Sequence, residues 1–526
     1  MRKLRTIAAP FIVALPTGTS TRTRVFVTGE EAAALTAIGT HLGSLFRADL
    51  AERVRQGQLT AKQKAQSRAT RKRELTAVSS SRWAGAITRA VEDQYQLGMR
   101  ALLAERQTLT AAVETIRARA AAPLHGEAWA GDRPKAKGYR DRAERHQKTR
   151  RAVALEHRLN DVNARIDAGH PRITVGSGRL LRTRQNLADA GLTLPQWRDR
   201  WDASRMFLTA DGESGKRFGN ETIRVTTDGT LEVKVPAPLV PQFGDRLRIG
   251  APVQFHSRAD EHAERVAEDR AVAYTISYDP GKDRWYLTAS WGYKDVPVIP
   301  LSAATAGNVV GVDLNADHLA VAVIDKTGNP VGTPHIIPLD VHGLPASTAD
   351  GHLRAALSEL LRFATSVGAT GIAVENLNFA DARATGRETM GRGRRGKRFR
   401  RTVAGIPTGK FRDRLVAMAA NRGIPIIAVD PAYTSRWGRE HWQRPLQTHA
   451  SRTATVTGHM AAAVAIGRRA HGHGIRRRPD GLRSHQRKTA NHRPATRPEP
   501  CPGRVSITRT RHAPQPRAVT AHRPPG

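Results

Sequence analysis

The chain has 526 residues and carries 85 Lys and Arg against 47 Asp and Glu, a formal charge of +38 with histidines neutral. So strong a basic balance predicts a polyanionic partner. No run of about 18 apolar residues is present to span a bilayer, which places nucleic acid ahead of a membrane. The single cysteine, Cys501, excludes an intrachain disulfide and a cysteine-rich zinc site, and with it a cytoplasmic, nucleoid-associated protein of bacterial type is expected. A hydrophobic share of 39% supports packed cores, and the length suggests about three or four domains.

The opening MRKLRTIAAPFIVALPTGTS has the basic start and short apolar run of an export signal, but Pro10 and Pro16 interrupt the run and an alternating segment, TRTRVFVTG, follows. Residues 1–27 therefore read as extended. Thr28 with Glu31 three positions later forms a capping box that opens a helix. From there to residue 170 the apolar positions recur at helical spacing, as in AITRAVEDQYQLGMRALLAERQTL, on a background rich in Ala, Arg and Glu. Such helices form a solvated bundle or, with arginine on their exposed faces, a nucleic-acid contact.

Residues 171–300 switch to a period of two. ETIRVTTDGTLEVKVP holds two alternating runs joined by Asp228-Gly229, a strong hairpin signal, and AVAYTISYDPGKDRWYLTASW repeats the pattern around Asp279-Pro280-Gly281. These hairpins predict a small antiparallel barrel or sheet. Residues 301–470 are mixed: runs at 309–314 and 318–325, a turn at Thr327-Gly328-Asn329-Pro330 into a third strand, the helix DGHLRAALSELLRFATSV, the strand TGIAVENLNF, a helix around FRDRLVAMAANRG, the strand IPIIAVD and the helix RTATVTGHMAAAVAIGRRA. The order β-β-β-α-β-α-β-α is that of the ribonuclease H type of fold. Residues 471–526 are rich in proline and arginine without apolar periodicity, and read as a disordered polyanion-binding arm.

Asp313 stands near the end of the first strand of this region and Glu375 at the C-terminal side of its fourth. Either acid alone is also what a strand-end residue reaching solvent looks like. As a pair on one sheet they meet the requirement of two divalent ions about 3.5 to 4 Å apart that activate water and stabilise the leaving oxygen of a phosphodiester. Between Glu375 and the helix at Phe411 lies GRGRRGKRFRR, either a solvated loop or a phosphate contact through Arg394, Arg395, Lys397, Arg398 and Arg400, which would confer affinity with a steep salt dependence and no sequence choice.

GVDLN, VENLNF, the basic segment GRGRRGKRFRRTVAGIPTGKFRDRL, VDPAYTSRWG and HMAAAVAIGRRA resemble, in that order, the RuvC-like nuclease domain of TnpB proteins, transposon-encoded RNA-guided DNA endonucleases related to type V CRISPR effectors. The resemblance covers residues 308–470. It implies an α+β multidomain protein: a β segment of a wedge domain at 1–27, a helical recognition domain at 28–170, an antiparallel β-barrel wedge domain at 171–300, an RNase H-like (RuvC-like) α/β nuclease domain at 301–470 and the basic tail. It implies guide RNA and target DNA as partners, no membrane, and Mg²⁺ or Mn²⁺ held by Asp313 and Glu375. The third acid of the family falls at a position occupied here by His459, an imidazole able to bind a metal or shuttle a proton, with Asp430 as the other acid nearby.

PAYTS in the family is followed by two CxxC pairs that bind zinc, whereas this chain continues SRWGREHWQRPLQTHASR. His441 and His449 have no thiolate companions, so no zinc is expected, and Trp437 and Trp442 are expected to pack the shortened loop. The altered third motif and missing zinc loop leave open a guided DNA-binding protein with weak or lost cleavage. The fold alone also allows a junction nuclease without a guide. A transposing partner enzyme would need a His-apolar-His pair with a downstream tyrosine; His471-Gly472-His473 in the basic tail does not supply it.

Overall fold

A computed structural model of the chain describes residues 7–130, 133–376, 408–449 and 455–474. Strands β1 (Phe11–Ile12) and β2 (Gly18–Val25) come first. Helix α1 (Gly29–Arg55) starts at the predicted capping box: the Thr28 hydroxyl accepts from the Glu31 amide, and the Glu31 carboxylate accepts from the Thr28 amide. Helices α2 (Ala61–Ala77) and α3 (Ser81–Ala121) follow, then a hairpin of β3 (Glu127–Ala130) and β4 (Arg133–Lys137), and α4 (Arg142–Ala168), which runs along α3. Next come α5 (Gly178–Thr183), α6 (Leu194–Ala203), β5 (Thr209–Ala210), β6 (Ile223–Val225), β7 (Leu231–Lys234), α7 (Val240–Phe243), β8 (Arg246–Ile249), α8 (Ala259–Ala267), β9 (Ala273–Asp279) and β10 (Arg284–Gly292).

The two predicted hairpins form. Gly229, at φ +86°, turns β6 into β7, and Asp279 accepts from the Gly281 amide at the turn between β9 and β10. The expected barrel does not close: among the described residues these strands make two open antiparallel sheets, β2-β10-β9-β5 and β6-β7-β8. Their apolar faces are covered by helices. Leu35, Ile38 and Leu42 of α1 and Trp83, Ile87 and Val91 of α3 share one core with Leu231, Val233, Tyr274, Leu287 and Trp291. A sheet with one apolar face needs a second layer, and where helices supply it the strands have no need to curl upon themselves.

After the short helix α9 (Leu301–Ala304) come β11 (Asn308–Leu314), β12 (His318–Ile324), β13 (Pro330–Pro338), α10 (Ala346–Ser366), β14 (Ala369–Glu375), α11 (Thr408–Ala420) and β15 (Ile426–Val429). The chain ends its described part with α12 (Thr434–Gly438), a π turn at Arg439–Gln443, α13 (Arg444–His449) and α14 (Gly458–Ala470). The sheet order is β1-β15-β14-β11-β12-β13. Strand β12 is antiparallel to β11 and β13, while β14 is parallel to both β11 and β15. Without β1 this is the order 3-2-1-4-5 of the ribonuclease H type of fold, as the alternation predicts. Helices α10 and α11 cover one face through Leu353, Leu357, Leu360, Phe411 and Leu415. Helix α14 covers the other, so the central strands read as continuous apolar runs.

The first 27 residues divide between sheets, which the sequence does not foretell. Strand β2 pairs with β10, but β1 pairs antiparallel with β15, and the Val13 amide donates to the Ile426 carbonyl at 2.8 Å. The apolar run that resembles an export signal is thus used to close a sheet edge. No described helix is long and apolar enough to cross a membrane.

His262 on α8 is buried against Phe255, with ring centroids 4.6 Å apart, and its Nε2 lies 2.8 Å from the Tyr274 hydroxyl. Burial lowers its pKa from 6.5 to about 4. Between those values the unfolded chain binds a proton that the folded chain does not, so stability is full above pH 6.5 and declines as the pH falls toward 4, by about 3 kcal/mol in all. Thermal melts of wild type and His262→Phe between pH 4.5 and 7.5 should show the wild-type melting temperature falling more steeply on acidification; parallel profiles would remove His262 as the cause.

Candidate active site

Asp313 and Glu375 end two parallel neighbours. Val312 of β11 pairs with Val374 of β14, so the two acids sit one step beyond, side by side. On the other side of β14, Glu375 pairs with Val429 of β15, and Asp430 follows immediately. Three carboxylates therefore gather at the same end of three adjacent parallel strands. Asp313 and Asp430 are buried, and Glu375 is partly buried.

Glu375 is pushed up to about 7, first by burial and then by the neighbouring charges of Asp313 and Asp430. Two groups oppose this shift: the Thr434 hydroxyl, which donates to Glu375 Oε1, and the Arg469 guanidinium. Thr434 is placed by the turn after Asp430, where Tyr433 takes a left-handed conformation at φ +64° and stacks on Trp437 at 4.9 Å. Arg469, buried near the end of α14, donates to the carbonyls of Asp430 and Ala432 and so fixes that turn. Asp430 serves the backbone: its Oδ2 accepts from the Ala8 amide and its Oδ1 from the Ala432 amide, each at 2.9 Å.

His459 meets Asp313 from above the sheet. Thr457 caps α14 by accepting from the Met460 amide, and in the first turn His459 Nδ1 lies 2.9 Å from Asp313 Oδ2. The bond to Asp313 raises the imidazole above its usual value, against partial burial, and because its partner is a carboxylate oxygen, Nδ1 is the donor. The reach depends on glycine. A Cβ on Gly311 would overlap the Ala463 carbonyl oxygen and come within 2.7 Å of the Gly467 amide nitrogen, and one on Gly467 would overlap the Ile324 side chain. Helix backbone rests on strand backbone there.

Of the residues that sequence singles out, Asp313, Glu375 and His459 come together, and Asp430 stands beside them with both oxygens engaged. Arg394, Arg395, Lys397, Arg398 and Arg400 lie outside the described residues. Trp442 packs among Ala322, Ile324, Leu446 and Val464, with the Arg468 guanidinium 4.8 Å over its ring, and with Trp437 on Tyr433 the two tryptophans pack the loop as expected. Sequence reasoning passes over Thr434, Arg469 and Asn315, whose Nδ2 donates to Asp313 Oδ2 at 3.1 Å. All three stand inside the stretches PAYTS, GRRA and GVDLN that draw attention for other reasons.

Among the described residues no group of three or more His, Cys, Asp and Glu side chains closes on one point as it would around an ion. The donor chemistry nonetheless fits an oxygen-preferring cation such as Mg²⁺ or Mn²⁺, which is commonly held by one or two carboxylates and several waters. Glu375 is a carboxyl whose anion lacks sufficient counter-charge, and Asn315 and His459 both bond Asp313 at Oδ2.

No family model matches the chain, and no curated protein matches it. Among solved structures, Thermus thermophilus RuvC in complex with a Holliday junction substrate is 18% identical, covering 31% of this chain and 91% of that one at a TM-score of 0.22. A second structure of Thermus thermophilus RuvC is 16% identical over the same shares, at a TM-score of 0.20. A CRISPR-Cas12f ternary complex is 11% identical, covering 86% of this chain and 99% of that one at a TM-score of 0.20. Likenesses this faint leave the weight on the strand order and the side chains.

Two outcomes follow for the protein without metal. Glu375 has a folded pKa near 7 against 4.5 unfolded, so its contribution is fully present below pH 4.5 and is lost as the pH rises through 7, a penalty of about 3 kcal/mol at pH 8. Glu375→Gln should therefore raise the melting temperature at pH 8 and leave it nearly unchanged at pH 5; a pH-independent difference would contradict the assignment. Gly311→Val, which lifts α14 from β11, should destabilise by about 1–3 kcal/mol, read by chemical denaturation.

Proposed function

We propose that the chain is an RNA-guided DNA endonuclease of the TnpB type that hydrolyses phosphodiesters with divalent metal ions. The observation that carries the cleavage is the placement of Asp313 and Glu375 at the same end of adjacent parallel strands, with His459 on Asp313. The guided reading rests on the order of the motifs and on a charge of +38, which suits a protein that grips duplex backbone while base pairing reads sequence.

Asp313 and Glu375 would hold the metal, with His459 beside them as a further ligand or a proton carrier. When bound, Mg²⁺ or Mn²⁺ supplies an activated water and charge for the leaving oxygen. The chain's own groups do the rest. Thr434 holds Glu375 Oε1 and so fixes the carboxylate's rotation. His459, donating from Nδ1 to Asp313, has its ring fixed by that bond. Arg469 tethers the turn that carries Thr434 and so keeps Glu375 in place.

A second reading, a guided protein that binds its target without cutting, is favoured by one observation: His459 stands where a third carboxylate would complete the metal site, and its Nδ1 is already engaged by Asp313. The experiment is co-expression with the native flanking DNA, sequencing of the RNA that copurifies, and incubation of that complex with a matched target in Mg²⁺ or Mn²⁺. A discrete RNA and a cut target are expected, with Asp313→Ala and Glu375→Ala reducing the rate by about 10³-fold or more and His459→Ala by less. A target bound but never cut establishes the second reading. Heterogeneous RNA overturns guidance and leaves branched DNA as the substrate to try.

A further inference from the structure

The turn between β11 and β12 carries polar groups that neither the strand order nor the acid pair requires. Asn315 closes the turn, its amide donating to the His318 carbonyl at 2.9 Å. Its side chain points to the site: Nδ2 lies 3.1 Å from Asp313 Oδ2 and 3.2 Å from His318 Nε2. Asn315 Nδ2 can only donate, so His318 Nε2 must accept, which requires the ring proton on Nδ1. Nδ1 lies 2.6 Å from the exposed carboxylate of Asp317, which stabilises that tautomer. The His318 ring also stands edge-on to His459, with centroids 5.2 Å apart and planes at 77°.

Asn315 Nδ2 is thus the donor on both sides, to His318 Nε2, whose Nδ1 donates onward to Asp317, and to Asp313 Oδ2. Asp317 orients His318, His318 orients the Asn315 amide, and that amide, together with His459 Nδ1, donates to Asp313 Oδ2. Two donors on Oδ2 fix the carboxylate's rotation and direct Oδ1 away from them. The mostly buried His318 ring limits the swing of His459 on the same side. A hairpin turn is suited to this, because its register fixes the spacing of both residues from Asp313.

We propose that Asn315 and His318 are positioning residues for Asp313 and His459, acting as one chain of hydrogen bonds anchored by Asp317. This inference rests on the nuclease reading, and it concerns how the first carboxylate is oriented toward a cation. Outer groups of this kind change metal affinity or activity by about 10–100-fold when removed.

The test uses the full chain with its copurified RNA, and four variants: Asn315→Ala, His318→Phe, the double variant and His318→Gln. Phenylalanine keeps a ring edge against His459 but removes the acceptor, whereas the glutamine oxygen restores an acceptor near the Nε2 position. Three quantities are read: Mn²⁺ affinity by electron paramagnetic resonance of the free ion, the cleavage rate at saturating target, and target affinity with the melting temperature. Asn315→Ala and His318→Phe should each weaken Mn²⁺ binding and slow cleavage by about 10–100-fold at unchanged target affinity. The double variant should be no worse than the worse single one, since both break the same chain, and His318→Gln should recover most of the loss.

Losses that multiply in the double variant, an equal loss with glutamine, a matching fall in melting temperature and target affinity, or no loss at all would each overturn the proposal. A wild type that binds Mn²⁺ without cutting removes the nuclease reading, and the Mn²⁺ affinities of the four variants then decide the proposal by the same pattern. A wild type that binds no Mn²⁺ overturns both.

Discussion

The site depends on a helix lying unusually close to a strand. Side chains ordinarily hold a helix off a sheet, but α14 crosses β11 where Gly311 faces Gly467, so that backbone meets backbone. A third glycine extends the contact: a Cβ on Gly438 of α12 would stand 2.6 Å from the Ala461 carbonyl oxygen. The run Ala461, Ala462, Ala463 adds only small side chains around the helix there, all buried. Because the helix sits this low, its first turn reaches the end of β11 and brings His459 to Asp313. Its last turn carries Arg469 to the turn after β15. Dense interiors transmit such displacements, so enlarging one of these glycines should alter both ends of the helix together.

The electrostatics of the site run against those of the chain. A protein of charge +38 draws polyanions toward its whole surface, yet the end of its central sheet gathers Asp313, Glu375 and Asp430 with Arg469 as the cation that opposes them there. Backbone amides and a hydroxyl share the negative charge, but burial still holds Glu375 far above an ordinary carboxyl. A structure arranged only for stability would place an amide at this position. Carboxylates that repel one another favour whatever positive charge approaches them, and such mutually strained acids are the kind that cost a fold stability.

Periodicity and turn chemistry made the elements legible, because both are local. The Thr28 capping box, the Asp228-Gly229 hairpin and the alternating runs of β11 to β13 each follow from residues a few positions apart. The acid pair was legible because strand ends and motif order point to it. Covering layers were not legible: a period of two shows that β7 and β10 each have an apolar face, but not that α1 and α3 cover it in place of barrel closure. Strand β1 is two residues long and too short to carry a period. Thr434 could not be matched to Glu375 from sequence, since the contact depends on Tyr433 adopting a positive φ, a conformation that nothing about tyrosine suggests.

The N-terminal strap ties these features to the other half of the molecule. Ala8 donates to Asp430 Oδ2, Ile12 pairs with Ile427, and six residues later Gly18 already pairs with Gly292 in the sheet that α1 and α3 cover. A segment this short spans at most about 20 Å when fully extended, and Pro16 stiffens it further. Arg258, which stands beside that sheet and bonds Glu261 and Tyr293, also reaches Asn421 just past α11 at 2.6 Å. A load placed on the N-terminal half, as a bound polyanion would place it, therefore acts on a strap whose first residues hold a carboxylate of the acidic cluster. Among the described residues the two halves share no continuous sheet, but the strap leaves little slack between them.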